Sequence, residues 1–182
     1  MTDTTSGYIM TRTSEALEEL PFQYLKCKHP LLLPVLMIEI SVEDLEEQID
    51  ECFEKLRHIE KQTGFGTEGT NYASDYQALV RDLGKMSSTF LYKQSALRKN
   101  LLRLNFFRDK LHYMDMNLPD HCKEKLSKHS ISLQRRIEWI TSSIEHMLLY
   151  GGIQERIQSQ QTVVSSLLLA LISKLYTVCL VR

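Results

Sequence analysis

The sequence contains little glycine and proline, with 7 and 4 of its 182 residues. This is roughly half the average usage of the two together. A β-sandwich or β-barrel needs a turn about every 8–12 residues, and many of those turns use glycine or proline. So few of them argue against both folds and favour a helix-rich chain. The length fits one ordinary domain or one helical unit long enough to bury a core.

An excess of positive charge is also missing, because 22 basic side chains face 23 acidic ones and the net charge is −1. A protein that binds nucleic acid electrostatically carries a basic surplus that displaces counterions from the phosphates. We therefore expect no nucleic-acid partner.

The four cysteines, Cys27, Cys52, Cys122 and Cys179, show no short spacing. This pattern argues against a disulfide-stapled secreted domain and against a zinc site made of C-x-x-C pairs. Residues 1–12 contain no apolar core of signal-peptide length. We expect a cytoplasmic protein.

Short catalytic motifs are absent: the sequence contains no H-E-x-x-H, G-x-S-x-G, G-x-x-x-x-G-K-[ST] or G-x-G-x-x-G. Neither Cys27-Lys28-His29 nor His121-Cys122 has the second ligand pair that tetrahedral zinc needs. We predict surface or partly buried histidines, no enzymatic activity and no certain cofactor.

Heptad spacing is what the sequence does contain. In the first such segment, apolar positions are separated alternately by four and three residues, which keeps one stripe facing a partner helix. We predict that this helix begins between Pro30 and Pro34 and ends at Gly64-Phe65-Gly66. The stripe consists of Ile38, Val42, Leu45, Ile49, Cys52, Leu56 and Ile59.

A second helix is predicted from about Thr70-Asn71 to the break at Asn117-Leu118-Pro119-Asp120, where Pro119 is suited to begin a new helix. Its stripe has one charged member, Lys93. The apolar members are Tyr72, Tyr76, Leu79, Leu83, Met86, Phe90, Leu97, Leu101, Leu104, Phe107, Leu111 and Met114.

The third element carries a mostly three-and-four spacing from Leu126 to Val178 and is interrupted only by Gly151-Gly152. We predict an all-α fold, an elongated antiparallel three-helix bundle with a very long third helix. The predicted regions are a flexible or weakly structured tail (1–29), the bundle (30–164) and an apolar helical extension (165–182).

A cluster of acidic residues in the first helix is the one candidate metal site. Oxygen-rich clusters can hold Mg²⁺ where helices or subunits bring carboxylates together. The alternative is the solvated face of an amphipathic helix. The candidate ligands are Glu43, Asp44, Glu47, Asp50 and Glu51.

Basic residues cluster in the second helix at Arg98-Lys99, Arg103, Arg108 and Lys110. They could face a phosphate-rich partner, but salt bridges on the surface of a bundle are the simpler interpretation.

Two segments carry a resemblance to a known family. The first is Lys28-His29-Pro30-Leu31-Leu32-Leu33-Pro34, which a helix with an acidic run follows. The second runs from Trp139 to Val164 and includes Arg156, Gln160 and Val163 in an Arg-x-x-x-Gln-x-x-Val pattern. Together they resemble the cytosolic helical part of fungal CorA-like Mg²⁺ transporters, a class related to CorA and ZntB, over residues 28–164.

The resemblance implies that the third helix corresponds to a stalk that runs toward a membrane in this family. There it leads to two transmembrane helices joined by a Gly-Met-Asn loop, which this sequence lacks. Members of this family are integral membrane proteins, so the resemblance also implies that this chain could be associated with a membrane. The apolar segment 163–181 is at the lower limit of membrane-spanning length, and it could be bundle surface, an altered end or a membrane anchor.

We therefore carry two main hypotheses of function. The first is a truncated CorA-like protein, related to a divalent-cation transporter but without transport of its own, that oligomerises through the heptad stripes. The second is a coiled-coil interaction or scaffold protein unrelated to transport. A helical enzyme that uses scattered histidines and cysteines ranks last. Both main hypotheses imply a homo-oligomer or partner helices.

Overall fold

The computed structural model describes residues 29–63, 76–149 and 152–180. These residues form four helices, α1 (Leu32–Thr63), α2 (Tyr76–Asn117), α3 (Asp120–Leu149) and α4 (Gly152–Leu180). No strand occurs among them. The predicted all-α bundle is confirmed.

The start of α1 is fixed by the residues around its first proline. His29 precedes Pro30, and its Nδ1 atom accepts a hydrogen bond of 3.1 Å from the backbone N–H of Leu31. Its carbonyl accepts another, of 3.0 Å, from the N–H of Leu32. The imidazole thus satisfies a backbone donor that a helix start leaves without a partner, and the proline has no N–H to satisfy.

The heptad stripe of α1 is the core side of this helix. All seven of its predicted members are buried, from Ile38 to Ile59. In α2 the stripe is buried at Leu79, Leu83 and Met86, and it continues through Lys93. The three-and-four periodicity therefore identified the inward face of α1 and most of that of α2, where the predicted members Leu101, Phe107 and Met114 are only half-buried.

The chain divides into two compact units. Unit 1 comprises Met1–Glu47 and Ser95–Leu148, and unit 2 comprises Gln48–Gln94 and Leu149–Arg182. Consequently α1 and α2 supply residues to both units, α3 lies in unit 1 except for its last residue, and α4 lies in unit 2.

Within unit 1, α1 and α2 are antiparallel. Asn100 donates to the Ser41 hydroxyl at 3.2 Å, while His29, at the start of α1, interacts electrostatically with Asp115 near the end of α2. The turn into α3 contains Pro119, whose carbonyl accepts from the N–H groups of Cys122 and Lys123 at 2.8 and 3.0 Å. The predicted break and the role of this proline are confirmed.

Within unit 2, α1 again pairs with α2 through Lys93, whose Nζ donates to the backbone carbonyl of Gln48 at 2.9 Å. The contacts of α4 with α1 follow the same direction along both helices, since Glu60 pairs with Arg156 and Thr63 with Gln160. The helices α1 and α4 are therefore parallel. This is the direction expected in an up-down-up bundle in which α4 belongs to the third predicted element.

Three details of the sequence prediction need correction. Asn100, and not Leu101, occupies the core position of α2, because the spacing from Leu97 to Leu104 is three then four. His29 was assigned to the tail and to a surface or partly buried position, but it is buried at 1% exposure. Asp44 is also buried rather than part of a solvated face.

Several predictions concern residues outside the described ones. They include the tail up to residue 28, the end of the first helix at Gly64-Phe65-Gly66, the beginning of the second helix at Thr70-Asn71, and Gly151 of the interruption. Where one long third helix was predicted, α3 and α4 lie on either side of residues 150 and 151. The buried residues Met147 and Ile153 are six positions apart in the sequence, whereas equivalent positions of an unbroken heptad are seven apart.

Among the helical residues that the structure describes, no helix is both long and apolar enough to span a bilayer.

Candidate functional site

Polar side chains occupy several core positions of the heptads. In unit 2 these are Lys93 and Gln160, and in unit 1 they are Asn100 and Ser130; all are at most 6% exposed. A buried polar group is costly unless it is hydrogen-bonded. Each has a partner on another helix, so these layers favour one particular alignment of the helices.

The Arg-x-x-x-Gln pattern of the third element has a packing role in unit 2. Arg156 forms a bidentate pair with Glu60, with Nε–Oε1 and Nη2–Oε2 distances of 3.0 and 2.6 Å. Its guanidinium also lies 5.8 Å from the ring centre of Phe53. One turn later, Gln160 Oε1 accepts the Thr63 hydroxyl at 3.0 Å. Both residues of the pattern thus attach α4 to the end of α1.

A second ion pair between helices lies in unit 1, where Arg136 Nε is 2.7 Å from Glu39 Oε2. Burial raises the pKa of Glu39 above its usual value, while the charge and hydrogen bond of Arg136 oppose that rise and Glu43 adds to it. Glu39 and Glu60 lie beside the core of α1 at equivalent heptad positions. Arg136 and Arg156 also lie beside the core of their own helices, since each precedes a buried isoleucine. Such flanking pairs select the alignment of neighbouring helices in coiled coils.

The predicted acidic metal ligands are distributed along α1. Four of them, Glu43, Glu47, Asp50 and Glu51, are exposed, whereas Asp44 is buried. Among the side chains that the structure describes, no three His, Cys, Asp or Glu residues are grouped so that they could hold a metal ion. Mg²⁺ binding stays a prediction.

The outer side of α2 in unit 1 has a feature that the sequence interpretation missed. Four large apolar side chains are 54–70% exposed there, and we call them the outer stripe: Leu102, Phe106, Tyr113 and Met116. Their spacings of 4, 7 and 3 residues repeat the heptad. At about 100° per residue they lie within an arc of roughly 80°, opposite the core positions of the same helix.

Four residues of the basic cluster border this stripe: Lys99, Arg103 and Lys110 follow one flank and Arg98 lies at the opposite edge, whereas Arg108 lies toward the core side of the helix. Arg98, Lys99, Arg103 and Lys110 are exposed, and the Lys110 ammonium lies 5.4 and 5.7 Å from the ring centres of Phe106 and Tyr113. Within the described part of the chain none of the four forms a salt bridge. Surface salt bridges therefore do not account for them, and they form a cationic border to an apolar surface.

The signal for the outer stripe was present in the sequence. It is a second heptad series in the same segment, displaced around the helix from the core series. Periodicity alone does not reveal which of two stripes on one helix is buried, because that depends on where the other helices pack. In this structure the exposed fractions of the side chains show that the core stripe of α2 is buried and the outer stripe is not.

Unit 2 contains a groove between α1 and α2 with a volume of about 730 Å³. Its apolar lining includes Ile59, Leu79 and Met86, and Lys93 and Cys52 line it where the two helices meet through the lysine. The sequence offered no signal for this groove beyond the charge of Lys93 in an otherwise apolar stripe.

Comparison of the chain with protein-family models, with curated proteins and with solved structures finds no match.

Proposed function

We propose that this chain is a helical interaction module without catalytic activity, and that the outer stripe of α2 binds a helix of another protein. The single observation that carries the proposal is the exposure of four large apolar side chains at heptad spacing. Exposed apolar surface of this kind marks interaction sites more often than scattered single residues do. The buried core positions of α1 and α2 are not available to a partner.

The charge around the stripe specifies the partner's chemistry. Four cations border it, and Asp109 is the one carboxylate within its arc. A matching helix would place apolar side chains on the stripe and acidic side chains beside the cations, since complementary charges favour association and reject wrong partners. The proposed partner is therefore an acidic amphipathic helix.

A pair of designed peptides tests this proposal. Both carry the same apolar heptad stripe, one with glutamate and the other with lysine at the flanking positions. We expect the acidic peptide to bind in fluorescence anisotropy and the basic peptide to bind at least ten times more weakly. The double substitution Phe106→Ala/Tyr113→Ala should weaken acidic-peptide binding at least tenfold.

The matched control is Trp139→Ala, because Trp139 is an aromatic residue of unit 1 that is 58% exposed but lies on α3. It should change binding less than twofold, and exposed substitutions of this kind usually leave stability within about 0.5 kcal/mol. Equal binding of both peptides, or unchanged binding by the double variant, would overturn the proposal. So would stripe-dependent binding to anionic lipid vesicles without peptide binding.

The resemblance to CorA-like transporters favours a second candidate, in which the chain is a helical region related to a divalent-cation transporter and does not conduct ions itself. Its support is the pair of similar segments within residues 28–164. In this interpretation the exposed acidic residues of α1 would meet Mg²⁺ between copies of the chain.

Sedimentation velocity with and without Mg²⁺ tests this second candidate. We expect Mg²⁺ to increase the sedimentation coefficient, and we expect Glu47→Gln/Glu51→Gln to remove the increase. A strictly monomeric protein that ignores Mg²⁺ contradicts this candidate while leaving the peptide experiment unaffected.

A further inference from the structure

The buried ammonium of Lys93 is the most unusual group of unit 2. The residue is 6% exposed at a core position, and its Nζ atom contacts the carbonyl of Gln48 at 2.9 Å and the sulfur of Cys52 at 3.6 Å. A buried ammonium costs free energy that a carbonyl and a thiol offset less well than an anion does. An apolar residue would fill a core heptad position without this cost. The lysine helps to fix the alignment of α1 and α2 through Gln48, and it also places a buried charge at the edge of a groove.

The groove beside Lys93 gives its charge a further role. Its volume of about 730 Å³ falls in the range of small-molecule sites, roughly 300–1,000 Å³. Along α1 it extends from Cys52 to Gln62, which is about 15 Å at 1.5 Å per residue. The site is thus long, with a buried cation at one end.

The distribution of charge and apolar surface gives the groove a direction. Lys93 lies at the end near Cys52. Because α1 and α2 are antiparallel in this unit, Leu79 and Asp82 lie toward the opposite end, beside Gln62. The buried floor of the groove carries one charge, that of Lys93, whereas the charged residues of its exposed rim are Glu54, Lys55, Asp82 and Lys85. An anionic group on the floor is therefore attracted to the lysine end. The side chains of Ile59 and Met86 provide apolar surface between the two ends.

We propose that this groove binds a single-chain anionic amphiphile of the fatty-acid class, with its carboxylate against Lys93 and its alkyl chain along Ile59, Met86 and Leu79. The lysine provides the charge-assisted contact, and the apolar lining provides the burial of the chain. The site lies in unit 2, whereas the outer stripe lies in unit 1, so this inference does not depend on the proposed function.

Calorimetric titration with decanoate and with decan-1-ol, both below their aggregation limits, tests the inference. The two probes share an alkyl chain and differ in the charged end. We expect decanoate to bind saturably at one site and decan-1-ol to bind at least ten times more weakly. Lys93→Met should reduce decanoate binding to the level of the alcohol, because methionine keeps the length of the side chain but removes its charge.

Two further variants separate the site from its surroundings. Thr89 is exposed and lines the groove, so Thr89→Phe should block it and abolish binding of both probes. Lys99→Met removes an exposed lysine of the same helix in unit 1, and it should leave both affinities unchanged.

The inference is overturned by equal affinity for acid and alcohol, by full decanoate binding to Lys93→Met or Thr89→Phe, or by an equal loss in Lys99→Met. Unsaturable, detergent-like uptake also overturns it. Circular dichroism of each variant should show an unchanged helix content, since methionine suits a core position and Thr89 lies at the surface.

Discussion

At the scale of single residues, buried titratable side chains make the stability of this protein depend on pH. His29 is the clearest example, because its ring is buried and its Nδ1 atom accepts a hydrogen bond from Leu31. That hydrogen bond requires an unprotonated Nδ1. Burial lowers the pKa of His29 below its ordinary value of 6.5; the carboxylate of Asp115 on α2 opposes this shift, and His129 on α3 adds to it.

The lowered pKa of His29 predicts a pH dependence of stability. Between the folded-state pKa and 6.5 the unfolded chain binds more protons than the folded one, so the free energy of unfolding rises with pH. The contribution is complete above 6.5 and is lost as the pH falls toward the folded-state pKa. Urea denaturation between pH 7.5 and 5.5 should therefore show decreasing stability on acidification.

The variant His29→Asn isolates this effect, because asparagine accepts a capping hydrogen bond but does not titrate. Its stability should change less with pH over the same interval. Parallel curves for the variant and the original protein would show that another group causes the dependence. Glu39 acts in the opposite direction at lower pH, since its raised pKa makes the folded state bind protons more readily.

At the scale of helices, α2 contains a glycine that neither helix propensity nor packing favours. Gly84 lies inside this helix, where glycine is about 1 kcal/mol less favourable than alanine. A Cβ atom at this position would meet nothing within 4 Å. No close neighbour therefore requires the glycine.

We predict that Gly84→Ala stabilises the protein by roughly 0.5–1 kcal/mol, because alanine restricts the unfolded chain and suits a helix interior. The shift should be visible in the urea midpoint. The matched control is Gly152→Ala, where a Cβ atom also has open space but the residue begins α4. Its effect should be smaller, since a helix end gains less from propensity. Destabilisation by Gly84→Ala would mean that the glycine has a contact role.

The outer stripe and the core stripe of α2 also belong to this scale. Both repeat with a heptad period, and both contain large apolar residues. Only the one that carries Leu97, Leu104 and Leu111 is buried within the chain. The helix therefore has two faces capable of packing, which is the basis of the proposed interaction with another helix.

At the scale of the whole molecule, the two units share helices. Neither unit is a continuous segment, since α1 and α2 each contribute to both. When one end of α1 or α2 unfolds, backbone hydrogen bonds are lost in a helix that also belongs to the other unit. This connectivity favours one cooperative transition over two separate ones.

Two probes can test the cooperativity. Trp139, the one tryptophan of the chain, lies in unit 1, and its fluorescence reports on that unit, whereas far-UV circular dichroism reports on the helices of both. We expect the two urea transitions to have the same midpoint. A circular-dichroism transition that continues after the fluorescence change is complete would show that the units unfold independently.

Much of the fold could be predicted from the sequence because helix formation and helix faces depend on neighbouring residues. The period of 3.5 residues between apolar positions identified the core side of α1, and Pro119 identified the start of α3. The same reasoning fails at Asn100, because this polar residue occupies the core position that the apolar spacing predicts for the adjacent Leu101. It also fails at Asp44, because burial of a carboxylate depends on what covers it.

The sequence by itself thus determined the all-α class, the helix ends near prolines and the inward stripes, since these follow from local spacing. The tertiary structure alone decided that Lys93 meets Gln48 and Cys52, that Gln160 meets Thr63, and that the outer stripe of α2 stays exposed. These contacts join residues 41 to 97 positions apart. Their geometry depends on how separate helices pack, and no local pattern encodes that arrangement.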